Sequence, residues 1–340
     1  NVIVRRTPEG QITDITPRDL NSRTRVHEYG GRAYTVYQTD VYFSNFSDQL
    51  LYYQKVNASP AAITSDTGLR FADISFNRLD HSLICVCEDH RGQRAEPENT
   101  LIRLDITGTG EAGGQQLKVL ASGFDFYASP CLSPDGSQLA WLSWNRPDMP
   151  WDASELWVGN FGKDGTLRGA GKVAGGSGES IFQPQWSPDG TLFFVSDRSG
   201  WWNLYRQSQN QVSPVRLMEA EFGMPQWVFG MSTYGFASAR HLICAYTRNG
   251  SWQLAEVDLV VDGAGGVARL RVGGGPRTGA GARRGGRFLL GQCRLVARTT
   301  QAGLDHAAGL EALGSGRGLA TPGLLAHLAK LRAARIVRAE

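Results

Sequence analysis

The residue cluster best suited to chemistry is His27-Glu28-Tyr29-Gly30-Gly31, the densest run of polar groups ahead of a strand-like segment in the 340-residue chain. A histidine beside a carboxylate can act as an acid–base pair. The same five residues also read as a glycine turn around a hydrogen-bonded histidine, and both readings stay open. The G-x-S-x-G turn that presents a hydrolase serine is absent: Gly230-Met231-Ser232-Thr233-Tyr234 and Gly175-Gly176-Ser177-Gly178-Glu179 both lack its closing glycine. No catalytic residue is therefore assigned. A G-x-G-x-x-G occurs at Gly108-Thr109-Gly110-Glu111-Ala112-Gly113, in a loop with no helix after it to complete a phosphate cradle. Five cysteines, with no C-x-x-C pair and no H-E-x-x-H string, give no metal site, and no cofactor is expected. Cys85 and Cys87 alternate along a strand-like segment and are expected as buried, reduced thiols of a cytoplasmic protein. Asp197 and Arg198 are expected to form a surface ion pair.

The elements that position these residues repeat. An aliphatic-then-apolar pair recurs as Ile3-Val4, Leu51-Tyr52, Leu101-Ile102, Leu156-Trp157, Leu204-Tyr205 and Leu254-Ala255, at intervals of 48, 50, 55, 48 and 50 residues. Upstream lie two copies of a turn, Ser133-Pro134-Asp135-Gly136 and Ser187-Pro188-Asp189-Gly190, spaced by 54 residues and each followed by apolar residues. Proline fixes φ, aspartate bonds the local backbone and glycine takes positive φ, so each copy joins two strands. One repeat reads as four short antiparallel strands, the signature of a propeller blade. The expected fold is all-β: an incomplete β-propeller of about five full four-stranded blades over residues 1–262, which the chain enters inside the third strand of an earlier blade. The nine tryptophans, all between Trp141 and Trp252, are expected mainly as wedges between blades, with the remainder at a tunnel or binding mouth.

Composition divides the chain. Residues 1–262 carry a net charge of −7 and residues 263–340 a net +10, so the overall +3 says nothing about nucleic-acid binding by the body. Of the last 78 residues, 56 are Gly, Ala, Arg or Leu. That tail is expected to be low in complexity, largely unstructured or short-helical, with Leu324 to Ile336 able to form one amphipathic helix. A basic arm, a small helical extension and an out-of-frame translation of a GC-rich gene all account for it, the last most simply. The chain has no run of 18 apolar residues, and neither a membrane nor a specific nucleic acid is expected as a partner.

Several of these segments together resemble a known family. Val26 to Gly31, Tyr127 to Gly136 with Leu139-Ala140-Trp141, Asn145 to Trp151, Gln183 to Gly190, Ser196 to Tyr205 and Met224-Pro225-Gln226-Trp227 are similar to the N-terminal propeller of the prolyl oligopeptidase family of serine peptidases, in its acylaminoacyl-peptidase or dipeptidyl-aminopeptidase-like branch. The resemblance covers roughly residues 1–260. It implies a propeller that gates access of short peptide or acyl- and aminoacyl-peptide substrates to an α/β-hydrolase domain, whose Ser-Asp-His triad performs acyl transfer. This chain has none of those catalytic residues and is expected to hydrolyse nothing alone. By the same resemblance His27, Glu28 and Tyr29 are expected to face the substrate, Glu28 binding the amino end of a peptide. The alternative is a stand-alone protein-binding propeller of the TolB-like or WD-repeat kind.

Overall fold

A computed structural model describes residues 1–7, 9–55, 57–92, 96–106, 117–259 and 268–272. The G-x-G-x-x-G string, Cys293 and almost all of the tail, with its expected helix, lie outside the described residues.

Strands β1 (Val4–Arg6) and β2 (Ile12–Asp14) form an antiparallel pair. Five four-stranded antiparallel sheets follow, each with its strands in chain order. The first holds β3 (Tyr34–Tyr37), β4 (Asp40–Ser44), β5 (Leu51–Lys55) and β6 (Ala61–Ala62). The second holds β7 (Leu69–Asn77), β8 (Ser82–Asp89), β9 (Glu98–Asp105) and β10 (Leu117–Ala121). The third holds β11 (Phe126–Leu132), β12 (Gln138–Trp144), β13 (Glu155–Phe161) and β14 (Leu167–Gly175). The fourth holds β15 (Ile181–Trp186), β16 (Leu192–Ser196), β17 (Asn203–Ser208) and β18 (Gln211–Pro214). The fifth holds β19 (Tyr234–Ser238), β20 (His241–Arg248), β21 (Ser251–Leu259) and β22 (Ala268–Val272). These are propeller blades, and every recurring apolar pair from Leu51-Tyr52 onward falls in a blade's third strand. Among the described residues no helix is long and apolar enough to cross a membrane.

The fifth blade corrects the boundary expected at residue 262. Its outer strand, β22, lies beyond that point and pairs with β21 from Ala255↔Val272 to Leu259↔Ala268. An outer strand is held mainly by backbone hydrogen bonds to one neighbour, so its side chains are little constrained and a composition of Ala, Arg and Leu does not bar it.

The predicted turns are built from local hydrogen bonds. In the third blade Gly136 N–H donates to Ser133 O (2.8 Å), the Ser133 hydroxyl to Asp135, and Gln138 N–H to Ser133 Oγ (2.9 Å), with Gly136 at φ +69°. Ser187 to Thr191 repeat the pattern in the fourth blade.

Apolar cores lie between adjacent sheets, as in a propeller whose blades pack face to face. Phe71, Ile74, Leu83, Cys85 and Cys87 pack with Tyr42 and Leu51 between the first two blades, whereas Phe182, Phe193 and Leu204 meet Tyr246 and Val257 between the last two. Cys85, Cys87, Cys131 and Cys244 are free, and burial pushes the Cys87, Cys131 and Cys244 thiols up to about 12. Trp141 and Trp157, cross-strand partners, stack at 6.5 Å, in keeping with the wedge role. Arg198 departs from expectation: it pairs with Glu179 (2.7 Å), while Asp197 accepts the Ser180 N–H (2.8 Å).

The innermost strands carry a second repeat. β7, β11 and β15 each contain a bulge, with a residue of positive φ at Asp73 (+55°), Ser129 (+56°) and Gln183 (+48°). The β7 and β15 bulges aim polar side chains at the next blade. Asp73 N–H donates to Arg32 O (3.1 Å), and its carboxylate meets Arg32 Nη1 (3.1 Å) and the Ser129 N–H. Gln183 accepts the Thr233 N–H (2.7 Å) and donates to Tyr234 O (2.7 Å). Such hydrogen bonds join neighbouring first strands side by side, which fixes where the loops at their ends converge.

Candidate functional site

One such convergence is a pocket of about 360 Å³. Its walls come from the turn before β3 (His27 to Gly30), the β8–β9 region (Glu88, His90, Asn99), the start of β11 and end of β12 (Phe126, Trp144), the segment from Arg146 to Trp151, and the β18–β19 connection (Gln226 to Phe229). The structure thus brings all three predicted residues, His27, Glu28 and Tyr29, into the lining of one cavity.

The turn is tightly wound. His27 (φ +53°) and Glu28 (+62°) occupy the left-handed region alongside Gly30 (+67°) and Gly31 (+104°). For non-glycine residues that conformation costs on the order of 1 kcal/mol each and persists only where the surroundings enforce it. The enforcement is visible. Phe229 N–H donates to Gly30 O (3.0 Å), and a Cβ on Gly31 would stand 2.5 Å from Phe229 O. The glycine pair is therefore needed where two loops cross in direct backbone contact.

Within this turn the two possible partners in acid–base chemistry part company. The His27 ring lies against Phe229 (4.7 Å between centroids), Phe126 (5.1 Å) and Trp144 (5.7 Å). Burial lowers its pKa to about 3, with the Asn99 side chain offsetting part of the effect, so the imidazole is neutral near pH 7 and only a weak base. Glu28 instead remains 84% exposed, 3.9 Å from Arg70. What His27 does is hold another acid: its backbone N–H donates to Glu88 Oε1 at 2.6 Å.

Glu88 was not singled out by its sequence context. Its side chain is 5% exposed, and its other oxygen lies 3.1 Å from His90 Nε2 and 3.9 Å from Arg70. A second charged group lines the same pocket, where Arg146 pairs with Asp125 (3.1 Å) and Glu96 (3.5 Å). The Arg146 backbone N–H and guanidinium hold the Asp125 carboxyl below the usual range. Each guanidinium is thus shared by two carboxylates, so the site keeps a negative surplus. Aromatic rings line the same pocket: Trp151 against Trp227 (4.4 Å), Tyr29 edge-on to Trp227 (6.3 Å) and Phe126 stacked on Trp144 (5.4 Å). Among the described residues no group of three His, Cys, Asp or Glu side chains could hold a metal ion.

The buried histidine makes a pH prediction. Between the folded value of about 3 and the unfolded 6.5, the unfolded chain binds the extra proton, so stability rises with pH across that window and is fully present above it. From pH 6.5 to 5 the His27 contribution falls by about 2 kcal/mol. In His27→Phe, which keeps a ring in the aromatic box, denaturant unfolding at pH 7 and pH 5 is expected to lose most of this difference; an unchanged difference would contradict the buried neutral imidazole.

Among solved structures, a puromycin-hydrolyzing peptidase of Mycobacterium tuberculosis matches 73% of this chain at 32% identity with a TM-score of 0.66, this chain covering 40% of that protein. A puromycin hydrolase matches 81% of the chain at 29% identity with a TM-score of 0.71, over 43% of its own length. A mutant of that hydrolase complexed with PGG matches with a TM-score of 0.72. The chain belongs to the propeller region of the prolyl oligopeptidase family. This prolyl oligopeptidase-type propeller spans about two fifths of the length of the peptidases it matches. No protein-family model and no curated protein sequence matches it.

Proposed function

We propose that this propeller is the substrate-gating part of a cytoplasmic serine-type peptidase acting on short peptides or aminoacyl compounds, and that its pocket receives their free amino end. The observation that carries the reading is the pairing of surplus carboxylates, Glu28 at the rim and Glu88 on the floor, with a concave aromatic wall. An ammonium group offers three donors and no acceptor, which complements carboxylates that share one guanidinium. Two of the similar peptidases are named for the hydrolysis of puromycin. Of the two branches suggested by the sequence, an acid-lined pocket favours the dipeptidyl-aminopeptidase-like one, since an N-acylated substrate brings no positive charge. The serine, histidine and aspartate of the reaction are assigned to an α/β-hydrolase domain outside these 340 residues, with the propeller restricting what reaches it. The four cysteines among the described residues are free, which fits a reducing compartment.

The test is a tryptophan-fluorescence titration of the chain with alanyl-alaninamide and its N-acetyl derivative. Charge-assisted hydrogen bonds of about 1.5–3 kcal/mol predict at least about tenfold tighter binding of the free amine. Equal affinities would contradict amino-end recognition.

A further inference from the structure

We infer that Arg23 and Arg25, stacked on the Phe46 ring, form a second binding site outside the pocket, which takes the free carboxylate of a short peptide whose amino end the pocket holds. The inference rests on the amino-end reading above. Burial alternates from Ser22 to Val26, so the two arginines project to the same, solvent side of the chain. There their guanidiniums lie 4.9 and 4.5 Å from the centroid of the half-buried Phe46 ring. Stacking orders a guanidinium while leaving its N–H edge open to an anion. Among the described residues no carboxylate pairs with either one, whereas Arg70 and Arg146 at the pocket each have two. The platform is also fixed. Arg23 N–H donates to Ser44 O (3.1 Å), Arg25 N–H to Gln49 Oε1 (2.9 Å) and Phe46 N–H to Asn21 O (2.8 Å), which ties the arginines to the β4–β5 connection that carries the ring. Two ordered cations without counter-charge suit a carboxylate, which accepts from guanidiniums through both oxygens. What links this site to the pocket is one turn. Glu28 N–H donates to Arg25 O (2.9 Å), so the same four residues begin at a stacked guanidinium and end at the pocket's rim carboxylate. The ends of such a turn lie within about 7 Å, and the two side chains add to that span. An extended peptide covers about 3.3–3.6 Å per residue, so the scale of the arrangement is that of a peptide of a few residues with both ends free.

The experiment titrates the 340-residue chain and its Arg23→Gln/Arg25→Gln variant with trialanine, trialaninamide, N-acetyl-trialaninamide and inorganic phosphate by calorimetry. Glutamine keeps the backbone bonds to Ser44 and Gln49 and removes only the charge. The expected result is that trialanine binds the parent chain about tenfold tighter than trialaninamide, and that the double variant binds the two alike, with its affinity for the amide unchanged. Equal affinities of the parent chain for trialanine and its amide overturn the carboxylate site. So does a preference for the free acid that survives in the double variant, since another group would then hold the carboxylate. Inorganic phosphate binding the parent as tightly as trialanine does, and losing that affinity in the variant, overturns it as well, because the pair would then be a general anion site with no part in reading a peptide. N-acetyl-trialaninamide binding as tightly as trialaninamide overturns the amino-end reading instead, which keeps the two failures apart.

Discussion

Replacing Asp73 by alanine is expected to destabilise the propeller by about 3 kcal/mol, measured by urea unfolding at pH 7. Asp73 is fully buried on β7, where its carboxylate accepts from Arg32 Nη1 at 3.1 Å and from the Ser129 N–H of the next blade. Alanine removes both acceptors. The Ser129 N–H would be left without a partner, a cost of about 1–3 kcal/mol. Breaking a buried ion pair costs about 3–5 kcal/mol, but Arg32 is 39% exposed and can rehydrate, so the lower end of that range applies. Alanine would also have to hold φ near +55°, a conformation that aspartate and asparagine tolerate better. Asp73→Asn, which keeps an acceptor and the backbone preference, is expected to lose only about 1 kcal/mol. A loss below about 1 kcal/mol in Asp73→Ala would show that the blades are joined by their apolar cores alone.

How far the molecule could be read from its sequence depended on the range of the interactions. The Ser-Pro-Asp-Gly turns were legible because their hydrogen bonds run within six residues, from Ser133 to Gln138. The blade period was legible because the third strand of each of the first four blades buries its leucine, from Leu51 to Leu204, whereas Leu254 of the fifth is exposed. β22 was not, because its backbone ladder to β21 places no demand on composition that would separate it from the glycine-rich residues around it. The site was half legible. His27, Glu28 and Tyr29 announced themselves as a polar cluster ending in two glycines. Glu88, 61 residues from the His27 N–H that holds it, has no local signal, and Trp227 was marked only through the Met224-Pro225-Gln226-Trp227 resemblance, since the packing of the blades is what brings both to the pocket. The Arg198 pairing was misread for the same reason: Asp197 is next to it in sequence, but the strand ends place Glu179 closer.

The second large effect concerns charge in the pocket. In the Glu28→Gln/Glu88→Gln variant both side chains keep an oxygen acceptor, so the His27 N–H retains a partner and the turn keeps its geometry. What disappears is the negative charge. With Arg70 and Arg146 retained, the variant pocket no longer carries an acidic surplus on the His27 side, and an ammonium there loses two charge-assisted contacts. At roughly tenfold each, the expected loss is about a hundredfold in affinity, or about 2.7 kcal/mol. The N-acetyl ligand has no charge to lose. The direct measurement is a calorimetric titration of this double variant and the parent chain with alanyl-alaninamide. The account predicts the hundredfold weakening for the free amine; an affinity within a factor of about two of the parent's would contradict recognition of the amino end by Glu28 and Glu88.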